Sequence, residues 1–188
     1  DLNAVAEELR HTGAEIATIP TDVSCEAEVE HLINTATELF GGIDVMVTNA
    51  SIVADRRIDP LALDVDIFNR VLAVNLTGTF LCARAAARTM IKRGQGGSII
   101  TIGSRASTRM VKASQERPPG LIAYTSSKFA ILGLTQSLAM ALAPHGIRVN
   151  CVCPGAVDTD MGRGDIENQA IAQGLGFDEA REKAGATI

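Results

Sequence analysis

The run Ser98-Ile99-Ile100-Thr101-Ile102-Gly103 is the clearest strand signal in this 188-residue chain. It is short, β-branched and apolar at its centre, which is typical of a parallel strand covered on both faces of a sheet. Three further runs share this character: Glu15–Pro20, Ile43–Thr48 and Ile147–Val152. Helical stretches separate these runs, roughly over Glu26–Phe40, Asp66–Lys92 and Tyr124–Ala143. This alternation predicts an open α/β sheet.

Length and composition indicate one globular domain over residues 1–188. The chain has a mass of 19.7 kDa, with 46% hydrophobic and 21% charged residues, which is sufficient to bury a core. The net charge of -5 is spread along the sequence, so we expect neither nucleic acid nor an anionic membrane as partner. No apolar run reaches about 18 residues and no signal peptide opens the sequence, so a cytoplasmic protein is expected.

The cysteines and histidines predict no metal site. Cys25, Cys82, Cys151 and Cys153 have no framework spacing, and the last two lie in an apolar strand-like run. We therefore expect Cys151 and Cys153 to be core thiols rather than zinc ligands. The three histidines lie far apart in the sequence and near no cluster of acidic residues.

The most informative pair of side chains is Tyr124 and Lys128, in the segment Tyr-Thr-Ser-Ser-Lys. Tyr124 is the only tyrosine of the chain, and a spacing of four residues places both side chains on one face of a helix. A unit charge about 4 Å from a phenol is worth roughly 4 kcal/mol at an effective dielectric near 20, which favours the phenolate. The pair is therefore a candidate for proton transfer. The alternative is a surface pair at the start of a helix.

Small or polar residues follow each predicted strand: Asp22-Val23, Asn49-Ala50-Ser51, Ser104 and Pro154-Gly155. In open α/β sheets, ligands bind beyond the carboxyl ends of the strands. Each segment also has a structural explanation, since Asp22 could form a turn before a helix and Pro-Gly is an ordinary turn. Together with Tyr124 and Lys128, however, they indicate one ligand-binding rim of one sheet.

These segments, in this order, resemble the short-chain dehydrogenase/reductase family over about residues 1–165. The other matching pieces are Thr48, Asn75 in Val-Asn-Leu-Thr-Gly-Thr-Phe, the run 97–104, and the segment 148–159. The resemblance implies a Rossmann-like, doubly wound parallel sheet in a three-layer α/β/α domain, incomplete at both ends. It also implies an NAD(P)-dependent oxidoreductase, an alcohol dehydrogenase or carbonyl reductase acting on a secondary alcohol or ketone.

The resemblance also implies four catalytic residues. Tyr124 would be the general acid/base, and Lys128 would stabilise its phenolate and hydrogen-bond the nicotinamide ribose. Ser104 would hold the substrate oxygen, and Asn75 would position a water that relays protons to the lysine. For Asn75, the alternative interpretation is a polar residue that locally breaks a helix.

For the cofactor, NAD or NADP, the resemblance implies contacts along the whole rim. Asp22 and Val23 would contact the adenine, and Asn49 and Ala50 the adenosine ribose. Pro154, Gly155, Val157 and Thr159 would border the nicotinamide, beside Tyr124 and Lys128. The residue that selects between NAD and NADP is expected upstream of Asp1.

Three features depart from the family pattern. The Gly-rich pyrophosphate turn is not in the sequence, and by family order it would precede residue 1, so we expect the chain as given to bind cofactor poorly. Ser51 stands where the family has Gly, which adds a Cβ near the cofactor. The segment from Lys112 to Gly120 lengthens the connection between Ser104 and Tyr124. It would either tune specificity at the mouth of the pocket or form a surface loop.

Two further expectations concern the ends of the chain and its assembly. Asp1–Arg10 is predicted to be a helix, and Met161–Ile188 a substrate lid with hinges at Gly162, Gly164, Gly174 and Gly176. The sequence therefore looks like the middle of a larger domain. No residue from Phe129 to Pro144 is charged, which predicts a homo-oligomer, a dimer or tetramer, through the helices 66–92 and 124–143.

Two other functions remain open at this point. A non-catalytic dinucleotide sensor or scaffold could use the same fold, although such a protein would be expected to lose proton-handling side chains that this chain retains. A sugar-nucleotide epimerase or dehydratase shares the Tyr-x-x-x-Lys motif but carries a larger C-terminal domain. The Asn49-Ala50 element and the short tail argue against it.

Overall fold

A parallel sheet forms the centre of the fold. The computed structural model describes residues 2–56, 58–108, 121–155, 157, 159, 163, 166–167, 170–171 and 173–185, without the side chains of 183–185. Its strands are β1 (Val45–Thr48), β2 (Gly97–Ile102) and β3 (Ile147–Val152), in the order β1-β2-β3. Thr48 is in register with Thr101, and Thr101 with Cys151. The predicted α/β fold with a parallel sheet is confirmed.

Helices connect the strands, close to the predicted positions. The described helices are α1 (Leu2–Arg10), α2 (Glu26–Phe40), α3 (Val65–Leu72), α4 (Gly78–Arg93), α5 (Ile122–Leu142) and α6 (Phe177–Gly185). Helix α2 ends where Gly41 adopts a left-handed φ of 78°, a conformation that glycine reaches without steric cost. Short 3₁₀ turns cover Pro60–Ala62, Arg105–Ser107 and Ala143–His145.

One face of the sheet carries the core. Helix α4 packs on β1 and β2, α5 packs on β3, and α2 packs on α4. Ile99, Val149 and Met90 meet in the apolar cluster between these elements. At the surface, Arg84 and Arg88 of α4 pair with glutamates of α2, the second pair at 3.2 Å. The buried apolar stripe supplies most of the stability, because exposed ion pairs contribute little.

The predicted strand Glu15–Pro20 does not form. In the described part of the chain, residues 14–22 are not helical and pair with no strand. A β-branched run becomes a strand only when a neighbouring backbone accepts its hydrogen bonds, and β1 pairs only with β2 among the described residues. The composition of this run predicts an extended conformation, but it does not show whether a neighbouring strand is present to pair with it.

The prediction that each strand is covered on both faces is also wrong for the outer strands. Val45 is 56% exposed and Val47 is 48% exposed, and Val152 of β3 is half exposed. These side chains point away from α4 and α5, while the alternate residues Ile99 and Val149 are buried. Only the central strand shows burial on both sides over most of its length, because it has neighbours at both edges.

The predicted helix Asp66–Lys92 is interrupted. Between α3 and α4, residues Ala73–Thr77 form one π-helical segment with Asn75 inside it. A π-segment widens the helix by one residue per turn and is frequently found at functional sites. The helical backbone continues through this segment, so Asn75 lies at a local widening of the helix and not at a break in it.

The continuous helical stretch Val65–Arg93 is long and apolar enough to cross a membrane on length and composition alone. Buried core helices meet it too, and α4 contributes nine buried residues to this fold. The predicted absence of a membrane partner and the predicted compartment stay predictions.

Candidate active site

The carboxyl ends of the three strands meet at one edge of the sheet, where most of the predicted site residues lie. Asn49 follows β1, Ser104 comes two residues after β2, and Pro154 two residues after β3. Two backbone hydrogen bonds continue the pairing beyond β2 and β3. Gly103 N–H donates to the Val152 carbonyl at 2.8 Å, and Arg105 N–H donates to the Pro154 carbonyl at 2.8 Å.

Tyr124 and Lys128 stand on one face of α5, next to this edge. The Lys128 Nζ atom lies 5.7 Å from the centroid of the Tyr124 ring and donates a hydrogen bond to the Ile102 carbonyl at 2.8 Å. Lys128 is only 3% exposed. Burial lowers the pKa of Lys128, and the nearby thiols of Cys151 and Cys153 partly offset that change.

Asn75 links the loop after β1 to the helix that carries Tyr124. Its Oδ1 accepts from Ile52 N–H at 2.8 Å, and its Nδ2 donates to the Ile52 carbonyl at 3.0 Å and to Ser127 Oγ at 3.1 Å. The Ser127 hydroxyl in turn donates to the Tyr124 carbonyl at 2.6 Å. Asn75 is fully buried, so each of these bonds is protected from competition with water.

Ser104 begins the 3₁₀ turn that follows β2. Its Oγ accepts from Ala106 N–H at 3.1 Å, and its own N–H donates to Ser107 Oγ at 3.0 Å. This reciprocal arrangement is a capping box, which fixes the rotamer of Ser104. A hydroxyl that accepts from the backbone still has its proton available for a ligand oxygen.

Asp55 was not among the predicted site residues, yet it contacts the backbone of Tyr124. Its Oδ2 accepts from Ala123 N–H at 2.6 Å and from Tyr124 N–H at 3.3 Å. Leu121, which precedes α5 with a left-handed φ of 66°, offers no side-chain cap. Asp55 is 1% exposed, and its Oδ1 has no hydrogen-bond partner. No local pattern could reveal this cap, because 68 residues separate Asp55 from Ala123.

At the other end of the rim, Asp22 is held in a turn before α2. Its Oδ1 accepts from the Ser24 hydroxyl at 2.6 Å and from Ser24 N–H at 2.9 Å, and its Oδ2 lies 3.4 Å from Arg70 Nη2. The Ser24 hydroxyl, and after it the Ser24 N–H and the Arg70 guanidinium, lower the pKa of Asp22. The alternative of a turn near a helix start therefore describes the local geometry, and the carboxylate remains exposed.

Val23 fixes the distance between this turn and α4. A Cβ built on Gly78 would lie 2.7 Å from Val23 Cγ2 and 3.1 Å from the Val23 carbonyl oxygen. Glycine at position 78 therefore lets the start of α4 approach the loop that carries Asp22 and Val23. Any larger residue would push the two segments apart.

Asn49 and Ala50 are exposed at the end of β1, open to a ligand along the rim. Beside them, the hydroxyls of Thr48 and Ser51 are buried and have no hydrogen-bond partner. Buried polar groups are normally satisfied, so two unpartnered hydroxyls next to exposed Asn49 mark a polar region suited to an incoming ligand. The Ser51 hydroxyl is thus compatible with a bound group at this position.

The segment after β3 completes the rim. Pro154 is half-buried, while Gly155, Val157 and Thr159 are exposed. The Thr159 carbonyl accepts from Arg163 N–H at 2.7 Å. The longer connection Lys112–Gly120 and part of the predicted lid, including Gly162 and Gly164, lie outside the described residues.

The prediction that Cys151 and Cys153 are core thiols is wrong. Both are partly exposed, because they lie at the end of β3, where the sheet gives way to the rim. Their sulfur atoms are 3.8 Å apart. Burial raises the pKa of Cys153, and Cys151 raises it further. Among the described residues, no group of three or more His, Cys, Asp or Glu side chains could hold a metal ion.

A family model described as short chain dehydrogenase matches residues 1–170. The chain belongs to this family. Its Rossmann-like fold is therefore established together with the order of strands and helices described above.

Three relatives of the chain, at 32 to 37% identity, are a steroid dehydrogenase and two solved structures. A 3beta-hydroxysteroid dehydrogenase from Eggerthella lenta is 37% identical over 163 residues, covering 87% of this chain and 60% of that protein. The structure of an NAD+-bound xylitol dehydrogenase matches with a TM-score of 0.79 at 32% identity, covering 91% of this chain and 63% of the other. A short chain dehydrogenase from Burkholderia cenocepacia in complex with NADP gives a TM-score of 0.75 at 36% identity, covering 85% and 60%. The chain spans about three fifths of the length of these relatives.

In this chain, the predicted catalytic residues fall into two groups. Tyr124, Lys128 and Asn75 are joined through α5 and the Ser127 hydroxyl, and Lys128 reaches the last residue of β2. Ser104 follows two residues later on the adjoining turn. Two of the other predicted cofactor residues, Val23 and Pro154, are half-buried. The remaining ones are exposed: Asp22, Asn49, Ala50, Gly155, Val157 and Thr159.

Proposed function

We propose that this protein is an NAD(P)-dependent oxidoreductase that transfers a hydride between a nicotinamide cofactor and a secondary alcohol or ketone. The observation that carries the proposal is the buried ammonium of Lys128, 5.7 Å from the centroid of the Tyr124 ring. A buried ammonium next to a phenol is an arrangement suited to proton transfer through that phenol. A lysine with a purely structural role is rarely buried without a carboxylate partner. A proton-transfer site, by contrast, commonly buries a charged group next to the residue that it assists.

Tyr124 acts as the general acid/base. It gives its proton to the carbonyl oxygen during reduction, or removes one from the alcohol during oxidation. Lys128 stabilises the phenolate, and its bond to the Ile102 carbonyl holds the ammonium at the end of β2. Ser104, fixed by its capping box, donates its hydroxyl proton to the same substrate oxygen as charge develops there.

Asn75 and Asp55 position this machinery. Asn75 connects the loop after β1 to α5 through Ile52 and Ser127, and Asp55 holds the N–H groups of Ala123 and Tyr124. Together they fix the start of α5 against the loop that follows β1. This restricts the position of the Tyr124 phenol, and small displacements at such a site reduce the rate strongly.

NAD or NADP supplies or accepts the hydride when it is bound. Asp22 and Val23 would hold the adenine, Asn49 and Ala50 the adenosine ribose, and Lys128 the nicotinamide ribose beside Tyr124. Pro154, Gly155, Val157 and Thr159 would border the nicotinamide. The exposed residues and the unpartnered hydroxyls of Thr48 and Ser51 along this edge fit such a ligand.

The relatives support the class of substrate but not one compound. Their names include a 3beta-hydroxysteroid dehydrogenase and a (+)-borneol dehydrogenase from Salvia officinalis. A steroid 3β-alcohol and borneol are both secondary alcohols on rigid carbon rings, so a cyclic secondary alcohol is the first substrate class to test. We further propose a cytoplasmic homo-oligomer, with the domain spanning residues 1–188 and the segment 161–188 as its substrate lid.

The second candidate is a dinucleotide sensor or scaffold without turnover. The retention of Asn75, Ser104, Tyr124 and Lys128 supports the enzyme instead.

The deciding experiment uses the whole native protein and the Tyr124→Phe variant. NADH and NADPH affinities are measured by fluorescence titration, and turnover is measured with a panel of cyclic secondary alcohols and ketones. We expect Tyr124→Phe to lower turnover by about 10²- to 10⁴-fold while cofactor affinity stays unchanged. Ser126→Ala, an exposed position on the same helical turn, is the matched control and should keep full activity.

Two results would contradict the enzyme. Unchanged turnover in Tyr124→Phe would remove Tyr124 from the chemistry. Tight cofactor binding by the wild-type protein without turnover of any member of the panel would favour the sensor.

A further inference from the structure

Cys151 and Cys153 form a pair of neighbouring thiols beneath the proposed active site. They are two residues apart on β3 and its end, so both side chains point to the same side of the sheet. Their sulfur atoms are 3.8 Å apart. A Cβ built on Gly103 would lie 2.9 Å from each sulfur, so both sulfurs fill the space that a side chain at position 103 would need.

A disulfide between these sulfurs requires the chain to bend at the end of β3, because side chains on the same face of an extended strand start farther apart than the Cβ···Cβ separation of about 3.5–4.5 Å in a disulfide. Two residues of an extended strand place the Cα atoms about 6.6 Å apart, near the upper limit of about 6.8 Å for a disulfide. The sulfurs must approach by about 1.8 Å to reach the S–S bond length of about 2.05 Å. A disulfide closed near the limit of its geometry is strained, and strained disulfides are easily reduced.

The surroundings of this pair differ from those of Cys82. Both thiols are partly exposed, as is Cys25, whereas Cys82 is buried in the core. The Lys128 ammonium lies close enough to both sulfurs to interact with them electrostatically. The Ser107 hydroxyl, which holds the backbone of Ser104, also interacts with Cys153.

We propose that Cys151 and Cys153 are a modification site for peroxides, at which the dithiol is converted reversibly into a disulfide. One thiolate attacks a peroxide oxygen, so an S–O bond forms, the O–O bond breaks and hydroxide leaves. The second thiol attacks the resulting sulfenic acid, so the S–S bond forms and the S–O bond breaks. The proton of the second thiol leaves with the oxygen as water. Two sulfurs are oxidised by two electrons in total, and one hydrogen peroxide is reduced to hydroxide and water.

Formation of the disulfide is expected to disturb the neighbouring proposed active site, a consequence that rests on the proposed function. The sulfurs move from their places over Gly103, and Cys153 loses its thiol interaction with Ser107. The turn that carries Ser104 is anchored to β3 by the bond from Arg105 to Pro154, immediately after Cys153. A displacement there of about 1 Å is enough to lower turnover by about tenfold or more.

The test treats the native protein with a slight molar excess of hydrogen peroxide, blocks the remaining thiols with iodoacetamide, and measures the tryptic peptide 149–163 by mass spectrometry. The expected peptide carries no alkyl group and has lost the mass of two hydrogen atoms. Dithiothreitol restores two alkylation sites. Cys25→Ser behaves like the wild type, while Cys151→Ser and Cys153→Ser form no internal disulfide. A peptide that stays doubly alkylated, or that gains only oxygen atoms, overturns the proposal.

Turnover is followed in the same samples. We expect it to fall by about tenfold on oxidation of the wild type, to recover with dithiothreitol, and to be insensitive to peroxide in Cys153→Ser. Equal peroxide sensitivity of wild type and Cys153→Ser would refute the link to the active site. If untreated protein shows no turnover at all, the proposed function fails, and the peptide masses still decide whether the disulfide forms.

Discussion

At the scale of single residues, burial of the proposed active-site Lys128 makes the unfolding free energy depend on pH. Its ammonium is almost fully buried, and burial lowers its pKa below the ordinary value of 10.5. Between the folded pKa and 10.5, the unfolded chain therefore binds more protons than the folded chain. The unfolding free energy contributed by this group consequently rises with pH across that interval.

Replacing Lys128 with Met removes this contribution. We expect the difference in unfolding free energy, wild type minus Lys128→Met, to increase from neutral pH to about pH 10.5, as measured by denaturant titration. Turnover of the variant should fall by about 10²-fold or more. The control is Lys92→Met, at an exposed position in the last turn of α4. Its difference in unfolding free energy from the wild type should not increase over this pH range. A pH-independent difference for Lys128→Met would contradict the lowered pKa.

The buried thiol of Cys82 changes the unfolding free energy at alkaline pH in the direction opposite to Lys128. Burial raises the pKa of Cys82 from 9.0 to about 11. Above about pH 9, the unfolded thiol loses its proton first, so the folded state loses stability, by about 2 to 3 kcal/mol once the pH exceeds both values. Cys82→Ala should flatten this loss, although it leaves a small cavity that lowers stability at neutral pH. Denaturant titration from pH 7 to 11 measures both effects, and an unchanged alkaline slope would contradict the prediction.

At Gly78, the lack of a Cβ matters more for stability than the low helix propensity of glycine. Ala is favoured over Gly in a helix by about 1 kcal/mol, but its Cβ would lie 2.7 Å from Val23 Cγ2. We expect Gly78→Ala to lower the unfolding free energy by about 1 to 3 kcal/mol. The double variant Gly78→Ala/Val23→Ala should recover part of this loss beyond additivity. Strict additivity of the two changes would show that the contact with Val23 is not the cause.

At the scale of elements, the start of α5 depends on a residue from another part of the chain. Asp55 accepts from Ala123 and Tyr124 N–H groups, whereas Asp64 caps α3 locally by accepting from Asp66 N–H at 2.7 Å. Both are caps, but only the first holds the helix that bears the proposed acid/base. This contrast separates an effect on stability from an effect on positioning.

We expect Asp55→Ala to lower the unfolding free energy by about 1 to 2 kcal/mol and kcat by about tenfold or more, with KM changed less. Asp64→Ala is the matched control and should lose comparable stability with kcat unchanged. Asp55→Asn keeps a carbonyl oxygen at the cap and should retain most of the activity. Wild-type kcat in Asp55→Ala would show that this cap does not position Tyr124.

The elements also show where sequence patterns were sufficient. The three strands form where the apolar runs predicted them, at Val45–Thr48, Gly97–Ile102 and Ile147–Val152. Helix α2 has the predicted bounds. Glu15–Pro20 has the same composition but pairs with no described strand. Periodicity reports which side chains favour an extended chain, whereas a strand also requires a partner, and the partner is a non-local property.

At the scale of the whole molecule, an apolar strip on α5 is left uncovered. Met140 is 81% exposed, and Phe129 and Ile122 are also exposed on this helix, which has no charged residue from Phe129 to its end. Phe80 and Ile91 expose apolar surface on α4. The proposed homo-oligomer would bury these side chains against a second copy.

We expect the variant Phe129→Glu/Met140→Glu to have a lower molar mass by light scattering than the wild-type protein, because burying two carboxylates in an apolar interface is unfavourable. Leu61→Glu, at a position 98% exposed on the turn Pro60–Ala62, should leave the molar mass unchanged. A wild-type protein that is monomeric at all concentrations tested would refute the oligomer.

The sequence by itself determined the α/β class, the order of most elements and the pairing of Tyr124 with Lys128, because these features depend on residues within a few positions of one another. Only the tertiary structure revealed the cap from Asp55, the links from Asn75 to Ile52 and Ser127, and the partial exposure of Cys151 and Cys153. Those features arise when folding brings together segments that are tens of residues apart in the sequence. A hydrogen bond across such a distance leaves no periodic trace in the sequence.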